Sequence, residues 1–276
     1  MRLKNHGPQW KILALGRSMK KKILDLIKKK NKKKIVSLTA YSKNVASILD
    51  KYCNIILVGD SLGSVLYNYK STRDVSLDMM IEHSKSVRMG IKKALMVVDM
   101  PHNTYRNSKE ALKNAKKIMI KTKCDAVKLE GGKKIKEIIK HLVKNKINVM
   151  GHLGVLPQSV RGKFRSMGKT EKEKKILLND AKILEECGAF SIVLECVRSQ
   201  TAKTITNNIN IPTIGIGSSK YCDGQVLVTD DLLGLNNTKI RFVKKFVNIR
   251  KIINDGVKKF KSEVSKGKFP SKKYSY

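Results

Sequence analysis

Short apolar runs alternate with longer amphipathic stretches along almost the whole chain. Eight runs read as strands: 35–40 (IVSLTA), 55–60 (IILVGD), 94–100 (ALMVVDM), 126–131 (AVKLEG), 148–153 (NVMGHL), 191–196 (SIVLEC), 211–216 (IPTIGI) and a weaker one over 225–229 (QVLVT). They are continuous rather than alternating, the pattern of strands buried on both faces, as in parallel sheets. Helical stretches lie between them. Ser76 predicts the cap of a helix over 77–90, and Ser108 that of one over 109–122. Thr170 and Glu173 fit a capping box, in which each side chain satisfies a free backbone N–H. The following segment, 171–187, carries Ile176, Leu177, Ala181 and Leu184 at helical spacing. The C-terminal stretch 238–265 reads as one helix with Phe242, Phe246 and Ile249 on a single stripe.

About eight β/α units, with no Gly-rich dinucleotide fingerprint after the first strand, predict a (β/α)8 barrel of the TIM type rather than an open doubly wound sheet. The chain has 276 residues, and such barrels occupy about 250. The expected organisation is a basic N-terminal extension and helix over 1–30, then one catalytic barrel over 31–276 that ends in C-terminal helices.

Composition refines this picture. Hydrophobic residues make up 41% of the chain and aromatics only 5%, so the core must be mainly aliphatic. The formal net charge of +37 raises the question of nucleic acid. The lysines, however, are spread over nearly every helical stretch, as at Lys116–Lys117, Lys133–Lys134, Lys174–Lys175 and Lys244–Lys245. No RNA-binding signature with interleaved aromatics accompanies them. Drift toward A/T-rich codons accounts for the abundance of Lys, Asn and Ile. The expectation is no specific nucleic-acid partner, only a weak, salt-sensitive affinity. The five cysteines include no C-x-x-C pair, which argues against a zinc site or a disulfide framework and for reduced thiols in a cytoplasmic protein. No apolar run approaches the roughly 20 residues needed to cross a bilayer, so no membrane partner is expected. The basic N-terminus lacks a small-residue cleavage pattern and predicts an ordinary helix.

In a parallel barrel the chemistry sits at the C-terminal strand ends. Those ends carry Asp60 and Ser61 after the second strand and Asp99 on the third. Lys128 and Glu130 lie on the fourth, His152 on the fifth and Glu195 on the sixth. Lys128 and Glu130 are two apart and so share a face. Charged groups beside apolar runs are costly unless paired or metal-bound. Any one of these acids could merely cap a loop, but carboxylates on three successive strands point to a site. Asp60, Asp99 and Glu130 are hard oxygen donors, which suits magnesium. No His/Cys cluster favours zinc, and Ser61 lacks the elbow of a hydrolase nucleophile. Glycines punctuate the same ends, among them Gly59, Gly131 and Gly154, and suit a small enclosed pocket.

These residues stand in strings that resemble the ketopantoate hydroxymethyltransferase family. The strings are LTAY at 38–41, VGDSLG at 58–63, VKLEGG at 127–132, GHLGVLPQSV at 151–160, VLEC at 193–196, IGIG at 214–217 and DGQVLV at 223–228. The resemblance runs from about Ser37 to Pro270 and implies a (β/α)8 barrel in a large homo-oligomer, often a decamer. It implies transfer of a one-carbon unit from 5,10-methylenetetrahydrofolate to 3-methyl-2-oxobutanoate, giving 2-dehydropantoate with the help of Mg2+. By motif position it assigns Asp60, Asp99 and Glu130 to the metal, and Ser61 and Lys128 to the substrate carboxylate. Asp60, Asp99 and His152 also line the substrate pocket, and Glu195 is the catalytic base. On that reading Mg2+ and Lys128 stabilise the enolate that forms when Glu195 removes the C3 proton.

The departures from the family pattern are Ser42 for the usual Asp, Asp99-Met100-Pro101-His102 for D-x-P-F, and Asn68-Tyr69-Lys70-Ser71-Thr72 for G-H-D-S-T. The glycine-rich loop expected after PQSV becomes Arg161-Gly162-Lys163-Phe164-Arg165-Ser166-Met167-Gly168-Lys169. That change predicts altered closure over the barrel mouth or altered folate affinity, with the catalytic residues intact. Two other readings stay open. One is another magnesium-dependent 2-oxo acid enolate enzyme, such as a phosphoenolpyruvate/isocitrate-lyase relative, whose cysteine loop has no counterpart here. The other is a basic nucleic-acid-binding protein, which leaves the strand-end acids unexplained.

Overall fold

A computed structural model describes residues 17–160, 165–236 and 240–276. Eight parallel strands close into a barrel in sequence order, as expected. They are β1 (Ile35–Thr39), β2 (Ile55–Val58), β3 (Leu95–Asp99), β4 (Ala126–Glu130), β5 (Val149–Gly154), β6 (Ser191–Glu195), β7 (Thr213–Ile216) and β8 (Gly224–Leu227). β1 closes the ring on β8, with Ile35 opposite Gly224. The helices α1 (Arg17–Ile27), α2 (Lys43–Leu49), α3 (Leu62–Tyr67), α4 (Leu77–Gly90), α5 (Ser108–Thr122), α6 (Lys136–Lys144), α7 (Glu171–Glu186) and α8 (Ser199–Asn208) fill the connections.

The continuous apolar runs are explained by two separate layers of packing. One row along each strand faces the barrel axis: Ile55 and Leu57, Leu95 and Val97, Ala126, Met150, Val193, Ile214 and Val226 form one buried cluster. The alternate row, including Ile56, Val98, Leu129, Val149 and Ile192, packs outward with helix residues such as Ala46, Met80, Ala115, Leu142 and Leu184. Small alanines on the helices let them approach the sheet closely. At the opposite end from the strand C-termini, Ile23 and Leu26 of α1 join the inner cluster. Lys30 there pairs with Asp223 at 2.8 Å, and Asp223 also accepts from the Asn31 and Thr213 backbone N–H groups.

Several boundaries differ from the sequence expectation. α5 begins at Ser108, and its cap is Asn107, whose side chain accepts from Glu110 N. Arg106 binds the Glu110 carboxylate from one turn back, which fixes the start one residue early. Thr170 caps α7 as expected, but Glu173 reaches back to the N–H of Lys169 rather than of Thr170. β8 starts at Gly224 and stops at Leu227.

The chain divides into two compact units, 1–227 and 228–276. The second holds α9 (Thr229–Leu232) and α10 (Ile249–Ser265). The C-terminal helix is therefore shorter than the 238–265 expected from the apolar stripe. Asn248 caps it by accepting from Lys251 N. On either side of the cap the chain is tied back, Phe246 N donating to Leu232 O and Ile249 N to Leu233 O, and Phe242 and Phe246 precede the helix. Residues 1–16 of the expected extension, 161–164 of the altered loop and 237–239 lie outside the described residues.

Candidate active site

Strand register brings the sequence-singled residues together. Asp99 continues the inward row of Leu95 and Val97, Lys128 and Glu130 that of Ala126, His152 that of Met150, and Glu195 that of Val193. Asp99 pairs with Lys128 across β3–β4, and Glu130 with His152 across β4–β5. The inner apolar row thus becomes a polar ring at the barrel mouth. Asp60 enters from the turn after β2, where its N–H donates to Asp99 Oδ2 at 3.1 Å. Ser61 sits beside it at the start of α3, its hydroxyl 2.8 Å from the Tyr41 hydroxyl.

Asp60, Asp99, Lys128, Glu130 and His152 are all buried. Lys128 Nζ lies 3.1 Å from Asp99 Oδ1. It also donates to His152 Nδ1 at 3.3 Å. An ammonium can only donate, so His152 carries its ring proton on Nε2. That nitrogen is 3.2 Å from Glu195 Oε2, bent away from a good hydrogen-bond line. Glu195 is the least enclosed of the set, with 18% of its side chain exposed. Its backbone is held separately. Val155 N donates to Glu195 O, and Gly154, at φ +96°, leaves room that a Cβ would fill at 2.1 Å from the same oxygen. Cys196 follows in a left-handed conformation, φ +51°.

Burial sets the protonation of this ring. Burial, reinforced by the neighbouring Asp99 charge, pushes Asp60 up to about 7. Burial and the Asp60 charge likewise hold Glu130 well above the usual carboxylate range, against the pull of Lys128. Burial alone would lower Lys128, but Asp99, Glu130 and Asp60 outweigh it and keep the ammonium charged. Burial and the Lys128 charge depress His152, so the imidazole is neutral.

Among the described residues, four carboxylates thus face one ammonium; Glu130 Oε1 is buried without a hydrogen bond, and Asp99 Oδ1 has only its ion pair with Lys128. This donor set fits a hard divalent cation, which would relieve both the repulsion and the orphaned Glu130 oxygen. Among the described residues no three His, Cys, Asp or Glu side chains converge as a ready-made metal cage. That accords with an ion held by one or two carboxylates and completed by water and substrate oxygens.

Sequence reasoning gave no role to Gln158, Tyr105 and Arg73. Gln158 is buried in the turn after β5, with its Nε2 donating to Asp60 Oδ2 at 2.7 Å and its N–H to Glu130 Oε2 at 3.0 Å. Tyr105 donates to Gln158 Oε1, and Arg73 Nε to Gln158 O. The PQSV string contains Gln158, but a glutamine in a turn carries no periodicity or charge to mark it. A cavity of about 1000 Å3 opens beside Glu130 and Gln158, walled by Tyr105, Ile135, Leu156 and Ile176. In the altered loop, Arg165 pairs with Glu173 at 3.0 Å, and Met167 N donates to Cys196 O, next to Glu195.

Fold and site together define a class, the (β/α)8-barrel enzymes with an acid-lined mouth. Residues 20–272 match the family model described as ketopantoate hydroxymethyltransferase. A protein of Pelagibacter ubique (strain HTCC1062) named 3-methyl-2-oxobutanoate hydroxymethyltransferase is 69% identical over 258 residues, covering 94% of this chain and all of that one (100%). The chain belongs to the ketopantoate hydroxymethyltransferase family, whose members are transferases. Solved structures share the fold at low identity. One is 2,3-dimethylmalate lyase, a PEP mutase/isocitrate lyase superfamily member, with TM-score 0.60, 10% identity and coverage of 94% of this chain and 87% of that one. Another is phosphonopyruvate hydrolase complexed with oxalate and Mg++, with TM-score 0.57, 11% identity and coverage of 92% and 93%. Among the described residues no helix is long and apolar enough to cross a membrane.

Proposed function

We propose that the chain transfers a hydroxymethyl group from 5,10-methylenetetrahydrofolate to 3-methyl-2-oxobutanoate, giving 2-dehydropantoate in pantothenate biosynthesis. The observation that carries this reading is the division of the buried ring. Asp60, Asp99 and Glu130 cluster around Lys128, while Glu195 stands apart, across His152 and closer to solvent. The cluster suits the oxygen end of a 2-oxo acid, and the separate carboxylate suits its C3–H.

Asp60, Asp99 and Glu130 would hold magnesium. That ion would act as a Lewis acid on the 2-oxo and carboxylate oxygens. Lys128 and the Ser61 hydroxyl bind the substrate carboxylate. Glu195 takes the C3 proton, with neutral His152 beside it at 3.2 Å. C3 then bonds to the methylene carbon of the folate, whose C–N bonds break. Water supplies the hydroxyl oxygen, and tetrahydrofolate leaves. The cavity beside Gln158 is of a size that accepts such a carrier.

We also read the chain as a cytoplasmic homo-oligomer, the decamer being the form the resemblance implies. The described free cysteines accord with a reducing compartment. On α10, Ile253, Val257, Phe260 and Val264 are exposed at helical spacing, a stripe suited to burial between subunits.

The test uses heavy water, 3-methyl-2-oxobutanoate and magnesium without folate, with C3–H exchange followed by NMR. Exchange that chelation suppresses and Glu195→Gln abolishes is the expected result. A folded wild-type protein that leaves the C3 proton in place would overturn the mechanism.

A further inference from the structure

We infer that Gln158 is the positioning residue of this site, holding Asp60 and Glu130 so that each keeps one oxygen free for a cation. The inference rests on the metal-assisted reading above and extends it to a residue outside the acid set. Gln158 is 2% exposed, and every polar group it owns is engaged. Its side-chain N–H occupies Asp60 Oδ2 at 2.7 Å, and its backbone N–H occupies Glu130 Oε2 at 3.0 Å. The side-chain amide also donates to Met100 O at 3.0 Å, which ties it to the end of β3. One residue therefore spans the ends of β2, β3 and β4.

The remaining oxygens show the consequence. Glu130 Oε1 is buried with no hydrogen bond, and on Asp60 the glutamine takes Oδ2 and leaves Oδ1 to other partners. Both Gln158 donors are neutral. They orient the carboxylates without adding a positive charge that would compete with a bound cation, as a lysine in the same place would. Gln158 is in turn held at two points. Tyr105 donates to its Oε1 at 2.5 Å and Arg73 Nε to its carbonyl at 2.9 Å. A side chain with three rotatable bonds is thereby confined to one arrangement, so the two acids need not reorganise when a cation arrives.

The test measures Mn2+ binding directly, by electron paramagnetic resonance of free ion during titration of metal-stripped protein, together with C3–H exchange. Gln158→Ala is expected to raise the Mn2+ dissociation constant roughly 10–100-fold, the usual effect of removing a group that orients a ligand. Its exchange rate should fall at limiting Mn2+ and recover largely at saturation, a split that general loosening of the fold would not produce. Tyr105→Phe keeps the amide but frees its oxygen, and should weaken Mn2+ binding roughly 3–10-fold. It serves as the deciding variant if Gln158→Ala does not fold. Unchanged Mn2+ affinity in the folded variant, or an exchange loss that saturating metal does not restore, overturns the role of Gln158 alone. A wild-type protein that binds no Mn2+ overturns the metal reading with it.

Discussion

Replacing Lys128 by Met keeps the length of the side chain and removes the only ammonium that the described residues place in a buried ring of acids. Lys128 Nζ is 3.1 Å from Asp99 Oδ1, with 5% and 4% of the two side chains exposed. At an effective dielectric near 20, that pair alone attracts by roughly 5 kcal/mol. Desolvation of the lysine offsets part of this, but truncating one partner of a buried pair strands the other charge and costs about 3–5 kcal/mol. Against a total stability of about 5–15 kcal/mol, this loss corresponds to a fall of roughly 10 °C in Tm.

The pH dependence carries the sharper signature. Asp60 stands at about 7 even with Lys128 present. Without the ammonium, it and Glu130 move further up. A carboxylate whose folded value is raised holds a proton that the unfolded chain releases above about pH 4. The native state then binds more protons across that window, and stability falls as pH rises through it. Lys128→Met should therefore show its full deficit at pH 8 and a smaller one at pH 5, where Asp60 and Glu130 are neutral. Saturating magnesium should restore part of the loss at pH 8, by replacing the missing positive charge. Urea denaturation at pH 5 and 8, with and without magnesium, measures all three effects. An equal deficit at both pH values, or no deficit, would refute the claim that the ring carries surplus negative charge.

Asp50 accepts from the backbone N–H groups of Lys92, Lys93 and Ala94. Burial works to raise its carboxyl, but those donors prevail and hold it below its usual value. Asp50→Asn should cost about 2 kcal/mol near neutrality and less in acid, because stability from a lowered carboxyl is lost as pH falls through its folded value; urea midpoints at pH 7 and 3 check this. Gly154→Ala places a Cβ 2.1 Å from Glu195 O at φ +96°. It should slow C3–H exchange at least roughly 10-fold through displacement of the base, with circular dichroism unchanged. On α10, the double change Val257→Glu and Phe260→Glu should lower the assembled mass seen by light scattering, whereas an unchanged mass would remove this stripe from the subunit interface.

The barrel was legible because its strands obey a simple rule. Runs such as Ile55–Val58 are apolar at every position, and only a sheet buried on both faces demands that. The acids were legible for the complementary reason, since Asp99 and Glu130 break apolar rows whose next inward position must be the barrel mouth. Contacts made by turns were not legible. Gln158 acquires its role only when the turn after β5 folds over β2 and β4, and nothing in its neighbours' pattern encodes that closure. The C-terminal helix was overextended for a related reason. Phe242 and Phe246 fall on the same stripe as Ile249, yet Asn248 offers a cap and the preceding chain bonds back to Leu232 and Leu233 instead. Periodicity records which residues are apolar, while the choice between helix and a tied-back loop is made by local capping chemistry.

The two scales of charge in this chain have opposite signs, and the difference bears on how the site fills. The whole molecule carries +37, which favours the approach of anions over distances of about a Debye length, near 8 Å in physiological salt. Inside the mouth, among the described residues, Asp60, Asp99, Glu130 and Glu195 face Lys128 alone, so a 2-oxo acid anion meets net negative charge unless protons or a cation neutralise it. A raised Asp60 supplies a proton below about pH 7, but a protonated acid is a poor metal ligand. Ionisation of the acids, entry of the cation and binding of the substrate carboxylate are therefore linked steps, each favouring the next. Gln158 acts on the first link, because neutral N–H donors on Asp60 and Glu130 favour their ionised forms without taking the cation's place.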